Sequence, residues 1–514
     1  MKTLTLDTAL VVLGGVLYSL ALPPHDLSIA AWITLVPLLA VATRTSNLGA
    51  FVAGFAYGTL FFALTVAWVL DAVAAYFQTG VVGALAFSAA ICLLFVSAYV
   101  GLFAVGARML LRDGRWLALI GVPGLWIACE LARATFLTGL PWELLGHSQW
   151  STLPLIQVAD LGGVYAVSYL VAFVNVGVYL ALRELACAPE RSTPLRAAMP
   201  LTAALALVVM DLGYGAWRLD NEAQRPKAAG AIVAVVQGNQ DPSWTWERSR
   251  AHRDLVRYSR LTQSALAELS PDLVVWPEYA LTLYPGMDPV VQPALERIAR
   301  RTPGGLVLGA PRLERGTPRA RYFNSVFHVP PEGPISAYDK IRLVPFAEYS
   351  PLGVAQAIAG EEDRTFGAGT RSKTLPSAIG RLGPLICYEV IFPHLTRNLV
   401  HAGAELLVNL ANDGWLDRSG LGASAQHLSM TVFRAIESRR YVVRATTSGI
   451  SAFVDPTGRV YGRLAAGQAG VTSGRVHART DRTGYSTYGD VFAVVAGFVS
   501  VLALIRIRHR GETA

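Results

Sequence analysis

Cysteine and lysine are the scarce residues of this chain. Of 514 residues only four are Cys, and of 44 basic residues only four are Lys: Lys2, Lys227, Lys340 and Lys373. Thiols so few and so dispersed exclude a disulfide scaffold. No Cys-x-x-Cys pair and no His-x-x-x-His spacing occurs, which removes the common zinc signatures, so neither a metal nor a cofactor is expected. Charge is scarce as well, at 16% of residues against 53% hydrophobic, with a mean hydropathy of +0.40. A chain this long and this apolar is not one ordinary soluble domain. The net charge of +8 is spread singly beside apolar runs rather than gathered on one surface, and a nucleic-acid partner is not expected. The sequence also lacks repeats of fixed period, low-complexity tracts and heptads.

What is abundant is long apolar sequence. Segments able to cross ~30 Å of hydrocarbon fall at 8–22, 28–43, 48–70, 79–107, 116–135, 158–182, 198–217 and 488–505, about eight membrane helices. With Lys2 in the cytoplasm, Arg44, then Arg108, Arg112 and Arg115, then Arg183, Arg191 and Arg196, then Arg506, Arg508 and Arg510 share that side. The opposite short loops near 23–27, 71–78 and 136–157 carry no Lys or Arg. The expected organisation is a seven-helix bundle over 1–217, an extracytoplasmic domain over 218–487, and a last span with a basic cytoplasmic tail over 488–514. A cleavable signal peptide ending near Ser19-Leu20-Ala21 is the alternative for the first span. Glu130 and Arg133 are expected to pair at the mouth of the fifth span.

The segment between the last two spans reads as alternating strands and helices. Short apolar strands are expected at 231–237, 272–276, 305–309, 382–386 and 406–410, with helices at 250–269, 288–301, 393–402 and 422–438. That is a layered α/β domain with strands buried on both faces. Chemistry in such domains gathers where strands end, because a rigid strand aims the side chain while the following loop leaves room. Three groups obey this rule. Glu278 follows Trp276-Pro277, Lys340 follows Tyr338-Asp339, and Cys387 follows Gly383-Pro384-Leu385-Ile386.

Cys387 is the sole thiol of the polar segment, so it has no internal disulfide partner there. A lone buried Cys is ordinarily a small core hydrophobe, and Lys340 read alone is a solvated turn lysine. Together with Glu278 they supply a nucleophile, a base and a compact cation, the requirements of acyl transfer through a thioester. Glu278 can take the thiol proton if burial beside Trp276 raises its pKa.

These motifs resemble the Glu/Lys/Cys signature of the carbon–nitrogen hydrolase (nitrilase) superfamily. Set among about eight spans, they resemble its membrane-bound branch, the apolipoprotein N-acyltransferase family. Val236-Gln237-Gly238-Asn239, Asn412-Asp413-Gly414-Trp415 and Gly139-Leu140-Pro141-Trp142 with Gly146-His147-Ser148-Gln149 extend the likeness along most of the chain. The resemblance implies an αββα sandwich beside the membrane bundle. It also implies Cys387 as nucleophile, Glu278 as base, Lys340 as oxyanion partner, and Glu348, Tyr388 and Glu389 as supporting residues. Trp142, His147, Trp246, Phe346 and Trp415 are candidate lipid or substrate contacts. The implied partners are a phospholipid acyl donor, a diacylated apolipoprotein acceptor and the bilayer, for a monomer of the bacterial inner membrane with its catalytic domain on the periplasmic side. Two other readings use the same residues differently: a membrane-tethered amidase with water as acceptor, and a transporter whose outer domain only binds.

Overall fold

The computed structural model describes residues 2–77, 80–113, 115–187, 194–225, 229–240, 248–315, 320–349, 366–417, 420 and 422–512. They form two compact units, 1–224 with 488–514, and 225–487.

Among the described residues of the first unit, six helices are long and apolar enough to cross a membrane: Leu4–Ala21, Asn47–Thr65, Val81–Arg112, Trp116–Thr135, Val164–Ala186 and Ala198–Gln224. Two other expected spans are present as shorter apolar helical stretches, Ser28–Arg44 and Val491–Ile507. The first of these is interrupted. A short 3-10 turn, Ser28–Trp32, precedes an α-helix over Leu35–Arg44, and Ile33 between them has φ −131°. Pro37 accounts for the break, since its ring crowds the carbonyl four residues earlier, that of Ile33.

Small residues let these helices approach. A β-carbon added at Gly124 would lie 2.6 Å from the Ala496 carbonyl oxygen, so Gly124 admits the C-terminal helix against the Trp116–Thr135 helix. Glu130 and Arg133 do not pair as expected; each holds the loop that follows their helix. Glu130 Oε1 accepts from the Leu145 amide at 2.7 Å and from Trp126 Nε1 at 2.9 Å, while Arg133 Nη2 donates to the Trp142 carbonyl at 2.9 Å. The loop's backbone carries unmet donors and acceptors, and satisfying them outweighs a bare charge pair.

The second unit carries two sheets. Strands β1 (Ala231–Gln237), β2 (Leu273–Val275), β3 (Leu306–Glu314), β4 (Arg321–Val329) and β5 (Ser336–Asp339) belong to one. Strands β6 (Leu382–Ile386), β7 (Leu406–Ala411), β8 (Val442–Thr446), β9 (Ser451–Val454) and β10 (Val460–Leu464) make the other, and β11 (Gly470–Val476) returns to the first. The orders are β11-β1-β2-β3-β4-β5 and β10-β9-β8-β7-β6. Within them β1-β2-β3 and β6-β7-β8 run parallel.

Strand alternation explains the layers. Val233 and Val235 on β1 share a core with Leu382, Ile386, Val408, Leu410 and Val443 of the facing sheet. Ala234 and Val236, pointing the other way, pack with Leu255, Tyr258 and Leu295 of the helices Arg248–Leu269 and Val291–Ala299. On the far side lie helices Pro393–His401 and Ala423–Ser438. Every residue described in the second of these except Ala425 is buried.

Candidate active site

The carboxyl ends of β6 and β7 and the loops after β2 and β5 converge on a cavity of about 20 Å³. Glu278, Tyr279, Lys340, Val344, Ala347, Glu348, Cys387, Asn412 and Trp415 line it. It has room for roughly one water.

Local backbone geometry aims the side chains. Pro277 ends β2 and turns Glu278 inward, and Gly309 on β3 makes this turn fit, since a β-carbon there would lie 2.5 Å from the Glu278 Cα. Tyr279, Phe346 and Cys387 hold left-handed φ values of 49°, 66° and 49°, conformations that cost a non-glycine residue energy and cluster at functional sites. Cys387 sits at the turn from β6 into a 3-10 helix, Cys387–Ile391.

The polar groups form one buried network. Lys340 Nζ donates to Glu348 Oε1 at 2.8 Å and to Glu278 Oε1 at 3.3 Å. Asn324 Nδ2 bridges the same two oxygens, at 2.7 Å to Glu278 and 2.9 Å to Glu348. The Asn412 amide donates to Glu278 Oε2 at 2.8 Å, and Asn412, Glu278 and Cys387 all face the same cavity. Lys340 is only 1% exposed, which excludes the alternative of a solvated turn lysine.

Burial dominates the electrostatics. It pushes the Glu278 carboxyl above its ordinary range; Lys340 opposes that rise and the neighbouring Glu348 charge adds to it. Burial, then Glu278, pushes the Cys387 thiol well up, with Lys340 pulling the other way. For Lys340 burial favours the neutral amine, yet Glu348 and then Glu278 more than compensate and raise its pKa. These directions favour a neutral thiol and a charged lysine, beside a carboxyl whose proton affinity is raised. The expected source of the Glu278 shift needs correction. Trp276 lies in the helix-side core, its ring 5.1 Å from that of Tyr258 and its Nε1 on Thr262, whereas Asn324, Lys340 and the Asn412 amide surround the Glu278 carboxyl.

The supporting residues divide by position. Glu348 is in direct contact with Lys340, whereas Glu389 serves the backbone. Its Oε1 accepts from the Ile341 amide at 2.6 Å and Tyr338 at 3.0 Å, and its Oε2 from the Ile386 amide at 2.8 Å. Burial moves its pKa up to about 7 against those donors. Tyr388 packs edge-on against Phe392 at 5.0 Å. Trp415 borders the cavity, and Phe346 is 37% exposed on the neighbouring loop. Trp142 and His147 belong to the other unit and are interior, 4% and 1% exposed, because Trp142 stacks near Trp68 and His147 Nδ1 caps the Leu144 amide. Trp246 and residues 350–365 lie outside the described residues.

Sequence reasoning missed Asn324, Asn409 and Arg444 on their strands and His427 on its helix. A polar residue at the centre of a strand was the available signal, because such a group buried in a sheet must find partners. Among the described residues no group of three or more His, Cys, Asp or Glu could hold a metal ion.

Two facing sheets with a Glu, a Lys and a Cys at their strand ends define a carbon–nitrogen hydrolase domain, and the carbon-nitrogen hydrolase family matches residues 232–485. The apolipoprotein N-acyltransferase N-terminal domain matches residues 14–177. The apolipoprotein N-acyltransferase of Geobacter metallireducens is 37% identical over 511 residues, 97% of this chain and 95% of its own. That of Azotobacter vinelandii is 31% identical over 516 residues, 98% and 96% of the two chains. The solved Saccharomyces cerevisiae Nit3, a nitrilase-superfamily member, covers 49% of this chain and 91% of its own at 18% identity, with a TM-score of 0.38. The chain belongs to the apolipoprotein N-acyltransferase family.

Proposed function

We propose that this protein moves an acyl chain from a membrane phospholipid, through a thioester on Cys387, to the N-terminal amine of the S-diacylglyceryl-cysteine of an apolipoprotein. One observation carries the reading: Cys387 lines the same small cavity as a buried carboxylate, Glu278, that is itself hydrogen-bonded by the Lys340 ammonium. Glu278 accepts the thiol proton as the sulfur attacks the ester carbonyl. Lys340 balances the oxyanion of the tetrahedral intermediate, a contribution of about 3–4 kcal/mol for a well-placed donor. Collapse breaks the ester C–O bond, and the lysophospholipid alkoxide leaves with the proton held by Glu278. The amine of the acceptor then attacks the thioester, Glu278 takes its proton, and that proton returns to the departing sulfur. This sequence is ping-pong.

The membrane setting follows from the substrates. Withdrawing an acyl chain from the bilayer forfeits roughly 0.8 kcal/mol per methylene, so an enzyme carried on apolar helices keeps the tails in hydrocarbon. We place it in the inner membrane, with the catalytic domain on the periplasmic side and both termini in the cytoplasm, as the arginine distribution supports. The deciding experiment supplies phospholipid and a synthetic diacylglyceryl-cysteine peptide. N-acylated peptide with lysophospholipid is the expected product; free fatty acid alone, with unmodified peptide, overturns the proposal and makes the protein a hydrolase.

A further inference from the structure

Beneath the nucleophile lies a second buried network that the acyl-transfer chemistry does not use. Arg444 on β8 donates through Nη2 to Asp413 Oδ2 at 2.6 Å and through Nη1 to Asn409 Oδ1 on β7. Asp413 Oδ1 faces His427 Nδ1 at 3.0 Å, and His427 Nε2 lies 3.0 Å from the carbonyl oxygen of Cys387. Asn409 Nδ2 donates to the carbonyl of Leu385 at 3.1 Å, two residues earlier. Asn409, Asp413, His427 and Arg444 are all 0% exposed. Room for the arrangement is built in, since a β-carbon at Gly449 would sit 2.5 Å from Asp413 Oδ2.

The network grips the bend rather than the reacting atoms. Asn409 holds the carbonyl of Leu385, Glu389 holds the amide of Ile386, and His427 faces the carbonyl of Cys387, so the turn is bound on both sides of the residue that precedes the sulfur. Cys387 needs this, because its left-handed backbone lacks the steric freedom that would make a Gly comfortable there. Burial, then the Arg444 guanidinium, lowers the His427 pKa, while Asp413 and the Cys387 carbonyl act to raise it; because both partners are acceptors, the two contacts are hydrogen bonds together only when the ring carries both protons, Nδ1–H donating to Asp413 and Nε2–H to Cys387. Four ionisable or amide groups sealed from water at one bend need a reason. A hydrophobic filling of the same space would avoid their desolvation cost.

We propose that His427 is a positioning residue for the nucleophile: its Nε2–H, aimed by Asp413 and Arg444, holds the Cys387 carbonyl and keeps the thiol turned toward Glu278. The proposal rests on Cys387 being the nucleophile, and its test separates the two ideas. In full-length protein with Cys92, Cys129 and Cys187 replaced by Ala, two rates are measured: alkylation of Cys387 by iodoacetamide, and acyl-enzyme formation from phospholipid. His427→Phe keeps the ring but not the donor and is expected to slow both on the order of a hundredfold, with the phospholipid KM unchanged. His427→Gln restores an N–H at comparable reach and is expected to recover most of that loss.

Wild-type rates in His427→Phe overturn the proposal. So do equal losses in the Phe and Gln variants with matching falls in Tm, the signature of a packing role. Should His427→Phe fail to fold, Asp413→Asn carries the test: about a tenfold slowing of alkylation is expected, and an unchanged rate overturns the proposal. Alkylation needs no lipid. A protein that shows this order of alkylation rates but forms no acyl-enzyme keeps the clamp and overturns only the acyl-transfer reading.

Discussion

Lys340 is held more closely by Glu348, at 2.8 Å, than by Glu278, at 3.3 Å. Glu348 therefore takes the larger part of the lysine's charge and, as a neighbouring anion, raises the Glu278 pKa. Such an arrangement suits a base, which must hold the proton it takes while the oxyanion partner stays charged. Removing the Glu348 charge reverses the effect, for Lys340 turns to Glu278 and lowers its pKa. Acylation needs Glu278 ionised, so the rate falls as pH drops through that pKa, which lies above the ordinary 4.5. In Glu348→Gln this acid limb is expected to move to lower pH; single-turnover acylation against pH measures it, and an unmoved or upward-shifted limb refutes the assignment.

Glu278→Gln leaves the side chain's size intact and removes its basicity. Acyl-enzyme formation should drop by about 10²–10⁴-fold with the fold preserved. Normal acylation in that variant, read by intact mass, would transfer the role of base to Glu348.

Lys340→Arg tests the compact cation. A planar fork cannot occupy the space between two carboxylates and Asn324 that a point ammonium fills, and a loss on the order of a hundredfold in rate is expected. Lys373→Arg, at an exposed position, is the control and should be silent. Equal activity in both would leave Lys340 with generic positive charge only.

Cys387 should carry a covalent acyl chain after incubation with phospholipid alone, labile to neutral hydroxylamine. Product formation by wild-type protein in a single turnover, with no adduct at any time, would exclude the thioester route.

Asn324 is the shared donor to Glu278 and Glu348. Asn324→Asp replaces that donor with a third anion around one lysine. A stability loss of roughly 1–3 kcal/mol is expected from the unmet acceptors, with slower acylation. Unchanged thermal unfolding would show that Lys340 alone suffices to satisfy both carboxylates.

Much of the second unit was legible because its parallel strands are short apolar runs. β1 and β6 fall where the pattern puts them, and the helices Pro393–His401 and Ala423–Ser438 begin and end within a residue of expectation. The strands missed from sequence are β4, β5, β8, β9, β10 and β11; β5 and β9 are only four residues long and β8 is broken by Arg444. β4 interrupts its apolar residues with Asn324, Ser325 and His328, and β10 and β11 are half exposed and carry glycines. In the first unit apolar length marked the helices, but the break before Leu35 comes from the proline ring of Pro37 acting on a residue four positions away.

By itself the sequence determined that the chain is apolar enough for membrane spans, that its polar segment alternates strand and helix, and that a Glu, a Lys and a Cys each end a strand. Those are properties of composition and local period, which short windows of sequence carry in full. Only the tertiary structure decided which groups meet. Glu348 over Glu389 as the partner of Lys340, Asn324 as the bridge, the groups that surround Glu278 in place of Trp276, and His427 against the Cys387 carbonyl all depend on contacts between residues far apart in the chain. Pairing of that kind is set by strand order and sheet facing, which no local pattern encodes.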